Sequence, residues 1–241
     1  MRTINTGDAL AACVEPGSVA KLLAAMASGQ TGFSVRCTPR RRTVMAEIPA
    51  LGVIFAKIRR GRRCDATAEW RWLHELPRLG LQVPKPIGFF REGRLSVVAT
   101  AAVAGRGLDA LLRAVHTEQE RAAALRFVCQ VVAPLIRALH RHGLVFRDLY
   151  WNHLFAASLA CRSVTFLDVE RVFRPRFRMR RWRVKDLAGL LASAPDPLPR
   201  TAALRFLSCY LSSDERPYAA QIARDVVKKA AQIRAHQPRY G

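Results

Sequence analysis

Two aspartates in the middle of the chain, each close behind a short apolar run, most constrain what this sequence can fold into. Asp148 follows the apolar residues 144–146 with only Arg147 between them, and Asp168 comes twenty residues later, at the end of the apolar run 164–167. An ionised carboxylate at the end of a buried strand is costly unless a positive group or a metal ion meets it. The pattern therefore predicts two short strands that carry functional carboxylates. The alternatives are a surface ion pair for Asp148 and a turn residue for Asp168.

The stretch around Asp148 reads LVFRDLYWNHLF and has the spacing of a protein-kinase catalytic loop. In such a loop the aspartate accepts the proton of the acceptor hydroxyl, and a polar residue five positions later binds a metal ion. His153 occupies that second position, where asparagine is usual, and Phe146 replaces the usual histidine. Because Mg²⁺ prefers oxygen ligands, an imidazole there indicates Mn²⁺ or a contact to phosphate, with Asn152 as the alternative ligand.

Three further positions agree with this interpretation. Lys57, in an apolar strand pattern, matches the lysine that pairs with the phosphates of ATP. Glu69, in the helix pattern that follows, is its expected ion-pair partner, and Glu75 is the alternative. Asp168 stands where kinases place a metal ligand, and Asp186 stands where an aspartate braces the backbone of the catalytic loop. A favourable charge at a helix N-terminus is the alternative for Asp186.

The chain resembles the Kdo/WaaP lipopolysaccharide kinase family, whose members are bacterial kinase-like proteins that phosphorylate sugars of the lipopolysaccharide core. The segments that carry this resemblance are FAKIRRGRRCDATAEWRWLHEL, VPKPIGF, FRDLYWNHLF, FLDVERV and RWRVKDLAGLLAS. Residues 147–153 fit the family pattern R-D-x-Y-x-x-H, so the histidine is a family feature. The resemblance implies ATP as phosphate donor, Mg²⁺ or Mn²⁺ as metal, and these roles: Asp148 and Arg147 catalytic, Lys57 and Glu69 ATP-binding, Asp168 and His153 metal-binding, and Asp186 supporting the loop.

The order of the patterns predicts an α+β, two-lobed protein-kinase-like fold. Strand patterns and one helix fill an N-terminal lobe over residues 1–104, of which 1–30 form an extension with a short helix that ends at Gly29. Helix patterns dominate a C-terminal lobe over residues 105–241, which also carries the catalytic loop.

The charge of the chain favours an anionic partner, because 40 basic residues face 18 acidic ones. Seven arginines lie between residues 171 and 183, directly after the predicted metal ligand. Arginine forks bind phosphates and carboxylates, so we expect an anionic glycolipid acceptor here. The eighteen positions from Asp168 to Asp186 are too few for a long peptide-docking segment. The expected acceptor-binding residues are Arg171, Arg174, Arg176 and Arg178, and a second basic group that is expected to face anionic lipid is Arg59, Arg60, Arg62 and Arg63.

Other features narrow the location and the class of protein. The sequence has no secretory signal pattern, no apolar run of about 18 residues and no paired cysteine spacing. We therefore expect a cytoplasmic protein without a transmembrane segment, peripheral on the inner face of the cytoplasmic membrane, and no specific nucleic-acid partner. The phosphate-covering loop retains only Gly29 and Gly32. A catalytically inactive scaffold with a kinase fold, or a kinase of a protein or another small molecule, remains the alternative.

Overall fold

The computed structural model describes residues 2–6, 16–49, 51–61, 65–195 and 200–236, and the chain divides into two compact units. The first unit is Met1–Val103 together with Asp168–Glu170, and the second is Ala104–Leu167 together with Arg171–Gly241. The predicted α+β class, with a strand-rich and a helix-rich half, is confirmed. The assignment of residues 168–170 to the first unit was not predicted.

An antiparallel sheet of six strands, with two helices, forms the first unit. The strand order is β1-β5-β6-β4-β3-β2. Strand β1, at one edge, lies in the segment that the sequence had marked only as an extension, whereas β2 to β6 and both helices were predicted. The bounds are β1 Arg2–Thr6, α1 Pro16–Ser28, β2 Phe33–Thr38, β3 Arg41–Ile48, β4 Gly52–Arg60, α2 Thr67–Arg78, β5 Pro86–Glu92 and β6 Leu95–Ala101.

The alternation of side chains along β4 gives the sheet two different faces. Ile54, Ala56 and Ile58 are buried in one apolar core, to which α1 contributes Leu23 and Met26. Because successive strand residues point to opposite faces, the residue at position 57 leaves that core and points to the other side of the sheet.

The second unit is mainly helical, with a small sheet in the order β7-β8-β9. The long helix pattern after residue 117 is interrupted: residues 128–132 form a π-helical turn just before Pro134. Proline lacks the N–H that would continue the α-helical bonding, which explains the wider turn. The bounds are β7 Arg106–Gly107, α3 Leu108–Arg113, α4 Glu118–Phe127, α5 Ala133–Arg141, β8 Leu154–Ala156, β9 Thr165–Phe166, α6 Met179–Ser193, α7 Arg200–Tyr210 and α8 Ala219–Ala235.

One helical run in the described part of the chain is long and apolar enough to cross a membrane. It spans Glu118–Arg141, with 24 residues and a mean hydropathy of 1.6 in its most apolar window. Core helices of soluble proteins share this length and composition, and the run buries Val132, Ile136 and Leu139 completely. The expected absence of a membrane span stays a prediction. Cys37, Cys129, Cys161 and Cys209 are free thiols, and the remaining two cysteines lie outside the described residues.

The structure gives a packing reason for Gly32, a glycine that the sequence analysis had assigned to a degenerate phosphate loop. Its φ is +80°, and a Cβ there would lie 2.5 Å from the Met45 carbonyl oxygen and 2.7 Å from a methyl of Val44. Gly52 has a similar φ of +68°, but nothing lies within 4 Å of its ideal Cβ position. The glycine at position 32 therefore serves close packing as well as backbone conformation.

We expect Gly32→Ala to lower the free energy of unfolding by about 3 kcal/mol or more, because backbone and core atoms must move. The matched variant Gly52→Ala carries only the left-handed backbone penalty of about 1 kcal/mol. Urea unfolding at equilibrium measures both. Equal losses in the two variants would contradict the packing explanation.

Candidate active site

The first unit places the predicted ATP-binding lysine in a partly buried ion-pair cluster. Strand β4 presents Lys57 away from the apolar core, and the first turn of α2 supplies Glu69, only 3% exposed. The Lys57 Nζ lies 2.6 Å from a Glu69 carboxylate oxygen and 2.9 Å from one of Asp168. Burial alone would lower the pKa of Lys57, but these two carboxylates raise it, so the ammonium stays charged. The alternative partner, Glu75, instead forms a surface pair with Arg71 on α2.

Arg59 is the member of this cluster that the sequence analysis missed. It was expected to face lipid head groups, and that prediction is wrong, because only 5% of the residue is exposed. Its guanidinium lies 2.6 Å from the second oxygen of Glu69 and also pairs with Glu170. Residues two apart on a strand share a face, so the spacing from Lys57 could have revealed it. Arg60 is exposed, and the other two arginines of that basic group lie outside the described residues.

Three carboxylates of the first unit form a group that could hold a metal ion. Oxygens of Glu69, Asp168 and Glu170 lie within 4.8 Å of one another, and oxygen ligands suit Mg²⁺. Lys57 and Arg59 engage both oxygens of Glu69, while Arg41 and Arg59 engage both oxygens of Glu170. Asp168 has the most exposed side chain of the three, at 41%. Asp168 is therefore the residue of this group whose carboxylate is most accessible to an ion from solvent.

The second unit carries the stretch around Asp148 as an ordered loop between α5 and β8. Phe146 is completely buried and stacks on Phe166 with ring centroids 5.3 Å apart, so the phenylalanine that replaces the usual histidine is a core residue. Arg147 has a φ of +73°, an unusual value for a residue with a side chain. This turn exposes the arginine at the surface of the unit and is followed by the half-buried Asp148.

Asp148 is engaged by an arginine that was expected to bind the acceptor. One terminal nitrogen of Arg171 lies 2.8 and 2.7 Å from the two carboxylate oxygens of Asp148. His153 Nδ1 lies 2.8 Å from the main-chain carbonyl oxygen of Asp148. Because a carbonyl oxygen only accepts, Nδ1 must carry the hydrogen, and in the neutral ring Nε2 then keeps a lone pair for a metal or a donor group.

Asp186, in the middle of α6, contacts the backbone of the loop around Asp148. It is only 1% exposed, and its carboxylate accepts hydrogen bonds from the backbone N–H groups of Phe146, at 2.6 Å, and Arg147, at 2.7 Å. The alternative interpretation as a charge at a helix N-terminus is wrong, because α6 begins at Met179 and Asp186 lies two turns inside it. Position and bonding therefore agree with the predicted supporting contact.

Behind Asp186 lies a chain of buried hydrogen bonds that the sequence did not predict. The Nε2 of His140 lies 3.2 Å from Asp186, its Nδ1 lies 2.8 Å from the Tyr210 hydroxyl, and that hydroxyl lies 2.6 Å from Nε of Arg183. Burial lowers the pKa of His140, so the ring is neutral. Since a carboxylate only accepts, Nε2 donates to Asp186, and the tyrosine hydroxyl therefore donates to Nδ1 and accepts from Arg183.

The outer end of this chain lies at the surface. Arg183 Nη1 lies 2.5 Å from a carboxylate oxygen of Glu215, which also caps the turn that starts at Ser212. One member of this hydrogen-bonded chain could have been predicted from the sequence: His140 lies on the apolar face of α5, four residues after Ile136. Nothing in the sequence pointed to Tyr210.

The remaining arginines of the basic segment differ in their surroundings. Arg174 donates to the His142 carbonyl oxygen at 2.8 Å, which fixes its guanidinium at the C-terminal end of α5. Arg176 and Arg178 are exposed and form no ion pair with any residue that the structure describes, and Arg178 has a φ of +59°. The large apolar side chain between them, Phe177, is 80% exposed.

Comparison with known proteins finds lipopolysaccharide kinases, both as a family and as individual relatives. The lipopolysaccharide kinase (Kdo/WaaP) family matches residues 55–210. The lipopolysaccharide core heptose(I) kinase WaaP of Pseudomonas aeruginosa is 28% identical over 235 residues, covering 83% of this chain and 86% of that protein. The protein of the same name from Escherichia coli (strain K12) is 26% identical over 159 residues, covering 60% of this chain and 59% of that protein.

Solved structures show the same fold. The structure of WaaP in complex with acyl carrier protein superposes with a TM-score of 0.67 at 24% identity, covering 94% of this chain and 99% of that one. An aminoglycoside-3'-phosphotransferase of type VIII superposes with a TM-score of 0.53 at 14% identity, covering 86% of this chain and 99% of that one. At these identities the likeness concerns the fold alone.

We expect Asp186→Asn to lower the free energy of unfolding by about 3 kcal/mol, because it removes a buried charge that accepts from two backbone N–H groups and His140. Asp225→Asn is the control, since the contacts of Asp225 with Arg180 and Gln221 are exposed and their loss should cost less than about 1 kcal/mol. Denaturant unfolding measures both variants. Similar losses would show that Asp186 is not a structural brace.

The ion pair between Glu215 and Arg183 should make the free energy of unfolding depend on pH. The hydrogen bond from Arg183 is the largest cause that lowers the pKa of Glu215, from 4.5 to about 2. Its stabilisation is therefore complete above about pH 4.5 and is lost as the pH falls towards 2. The stability difference between wild type and Glu215→Gln should shrink over that range, as measured by urea unfolding. Asp214→Asn, at an exposed neighbour, should leave the profile unchanged, and a constant difference for Glu215→Gln would contradict the prediction.

Proposed function

The chain belongs to the lipopolysaccharide kinase (Kdo/WaaP) family, and we propose that it transfers the γ-phosphoryl group of ATP to a sugar hydroxyl of a lipopolysaccharide core-type glycolipid. Both curated relatives are kinases of a core heptose, so a heptose is the first acceptor to test. The proposal places the protein among phosphotransferases that use an alcohol group as acceptor.

The observation that carries the proposal is the ion-pair cluster of Lys57, Glu69 and Asp168 in a chain that matches this family over residues 55–210. Phosphoryl transfer needs a lysine held ready for the phosphates of ATP, and a carboxylate pair that keeps the ammonium charged fits that need. Lys57 would bind the phosphates and Glu69 would fix its position.

Asp148 is the proposed base in the second unit. Its carboxylate would accept the proton of the acceptor hydroxyl while the hydroxyl oxygen bonds to the γ-phosphorus and the bond from that phosphorus to the β–γ bridging oxygen breaks, leaving ADP. Arg147 would steady the loop at the surface, and Asp186 would hold its backbone from behind. The backbone N–H bonds to Asp186 support the second role.

A divalent cation is part of the proposal, and the donor atoms of two residues fit it. Asp168 offers hard oxygen ligands that suit Mg²⁺, and His153 offers the Nε2 lone pair that suits Mn²⁺. When bound, such an ion neutralises charge that develops on the phosphates. Lys57, already paired with Asp168, would supply positive charge to the same phosphates.

The acceptor would be bound by the basic segment after Glu170. Arg171, Arg174, Arg176 and Arg178 supply guanidinium groups that bind phosphates and carboxylates. Phe177 lies exposed among them, and an aromatic residue flanked by arginines suits the interface of an anionic membrane. We therefore propose that the protein works at the cytoplasmic face of the membrane, in peripheral contact with it.

The test is ATP consumption by the purified protein with Mg²⁺ or Mn²⁺ and a panel of core glycolipids. We expect acceptor-dependent turnover that falls at least about a hundredfold in Asp148→Asn and in Asp168→Asn, because each removes a group that acts on the reacting atoms.

Asp214→Asn serves as the control, since it removes an exposed carboxylate outside the proposed site. Circular dichroism and thermal unfolding should show all three variants folded. Full turnover in Asp148→Asn would remove this residue from the role of base. Absence of both turnover and nucleotide binding in the wild type would favour a scaffold.

A further inference from the structure

The proposed base does not stand alone in the second unit. A single nitrogen of Arg171 contacts both oxygens of the Asp148 carboxylate, at 2.8 and 2.7 Å, so any acceptor hydroxyl must share this carboxylate with a guanidinium. The pair is accessible, because 40% of the Arg171 side chain and 21% of the Asp148 side chain are exposed. An incoming group can therefore reach both partners.

Positive charge around this pair exceeds negative charge. Burial lowers the pKa of Lys185, and the charges of Arg147 and Arg171 lower it further, so each of these arginines acts electrostatically on Lys185. Neither Arg147 nor Lys185 forms an ion pair with a residue in the described ranges. The carboxylates that face Lys185 are Asp148 and Asp186, and Asp186 is buried and bonded to backbone N–H groups and His140. Since Asp186 is buried and already bonded, Asp148 is the accessible carboxylate beside Arg171, and the additional positive charge of Arg147 and Lys185 favours the approach of an anion.

From this arrangement we infer that Arg171 is a specificity-determining residue for acceptors that carry a carboxylate or phosphate beside the hydroxyl to be phosphorylated. Such an anion takes the guanidinium from Asp148, with Arg147 and Lys185 adding attraction, and the released carboxylate receives the hydroxyl. The inference rests on the proposed role of Asp148 as the base and adds the chemical class of the acceptor.

The physical reason for selectivity is the balance of ion pairs. An acidic acceptor replaces one arginine–carboxylate pair with another of the same kind, whereas a neutral acceptor must separate the pair without replacement. A merely structural arginine would affect both acceptors equally. Arg171 should therefore change the ratio between acceptors, a quantity that a general loss of fold or activity leaves constant.

The test compares kcat/KM for three forms of one lipopolysaccharide core acceptor: native, with carboxyl groups reduced to alcohols, and with phosphate groups removed. For the wild type we expect a loss of about tenfold with one of the two stripped forms, and which form loses identifies the anion. Arg171→Met should lower kcat/KM for the native acceptor, so that the ratio of kcat/KM between native and stripped acceptors falls to about one. Arg171→Lys, which keeps a charge without the planar fork, should restore part of the ratio.

Arg126→Met is the matched control, because it removes an exposed arginine from α4, outside the proposed site. It should keep the wild-type ratio. Equal use of all three acceptors by the wild type, or an equal loss on all three in Arg171→Met, would overturn the inference. No turnover of the native acceptor would instead count against the proposed function.

A binding measurement tests the role of Arg171 in anion recognition even without turnover. In the absence of nucleotide and acceptor, inorganic phosphate or malonate should raise the Tm of the wild type and of Arg126→Met above a chloride control of equal ionic strength. The rise with at least one of these anions should be smaller in Arg171→Met. The same rise in all three proteins would overturn the inference.

Discussion

The second unit depends on the placement of one buried carboxylate. Asp186 is nearly inaccessible, and a charge in that position is tolerated only because backbone N–H groups and a histidine satisfy it. Through these bonds α6 fixes the loop before Asp148, and through Tyr210 and Arg183 the same network reaches α7 and the turn at Glu215. A loop whose own backbone has few ladder bonds thereby gains a rigid support.

The first unit solves a related problem in another way. Lys57 pairs with Glu69 and Asp168, and Arg59 pairs with Glu69 and Glu170. The two carboxylates against its guanidinium explain why Arg59 can be buried, which a count of net charge over the whole chain cannot reveal. The large positive charge of the protein is therefore not uniformly available to partners, since part of it is consumed by internal ion pairs.

Local patterns predicted most of the fold, because hydrophobic periodicity and turn residues act over a few positions. Strands β2 to β6, the helices and the division into strand-rich and helix-rich parts all follow from such patterns. The pairing of Lys57 with Glu69 was also expected, since strand and helix neighbour each other along the chain. Contacts between distant segments were predicted only where a motif indicated them, as for Asp186 and the loop around Asp148, and the contact between His140 and Tyr210, which are 70 positions apart, was not predicted. Arg59 was misjudged because composition, not strand alternation, guided the prediction.

Among the residues that the structure describes, three other than glycine have a left-handed backbone: Arg147, Asp168 and Arg178. Each such residue costs on the order of 1 kcal/mol, and glycine would remove that cost. All three positions were selected from the sequence for the chemistry of their side chains. The protein thus keeps residues with side chains at positions where glycine would adopt the backbone conformation at lower local cost, which is typical of sites where function and stability compete. Substitutions intended to stabilise this protein should therefore be made at other positions.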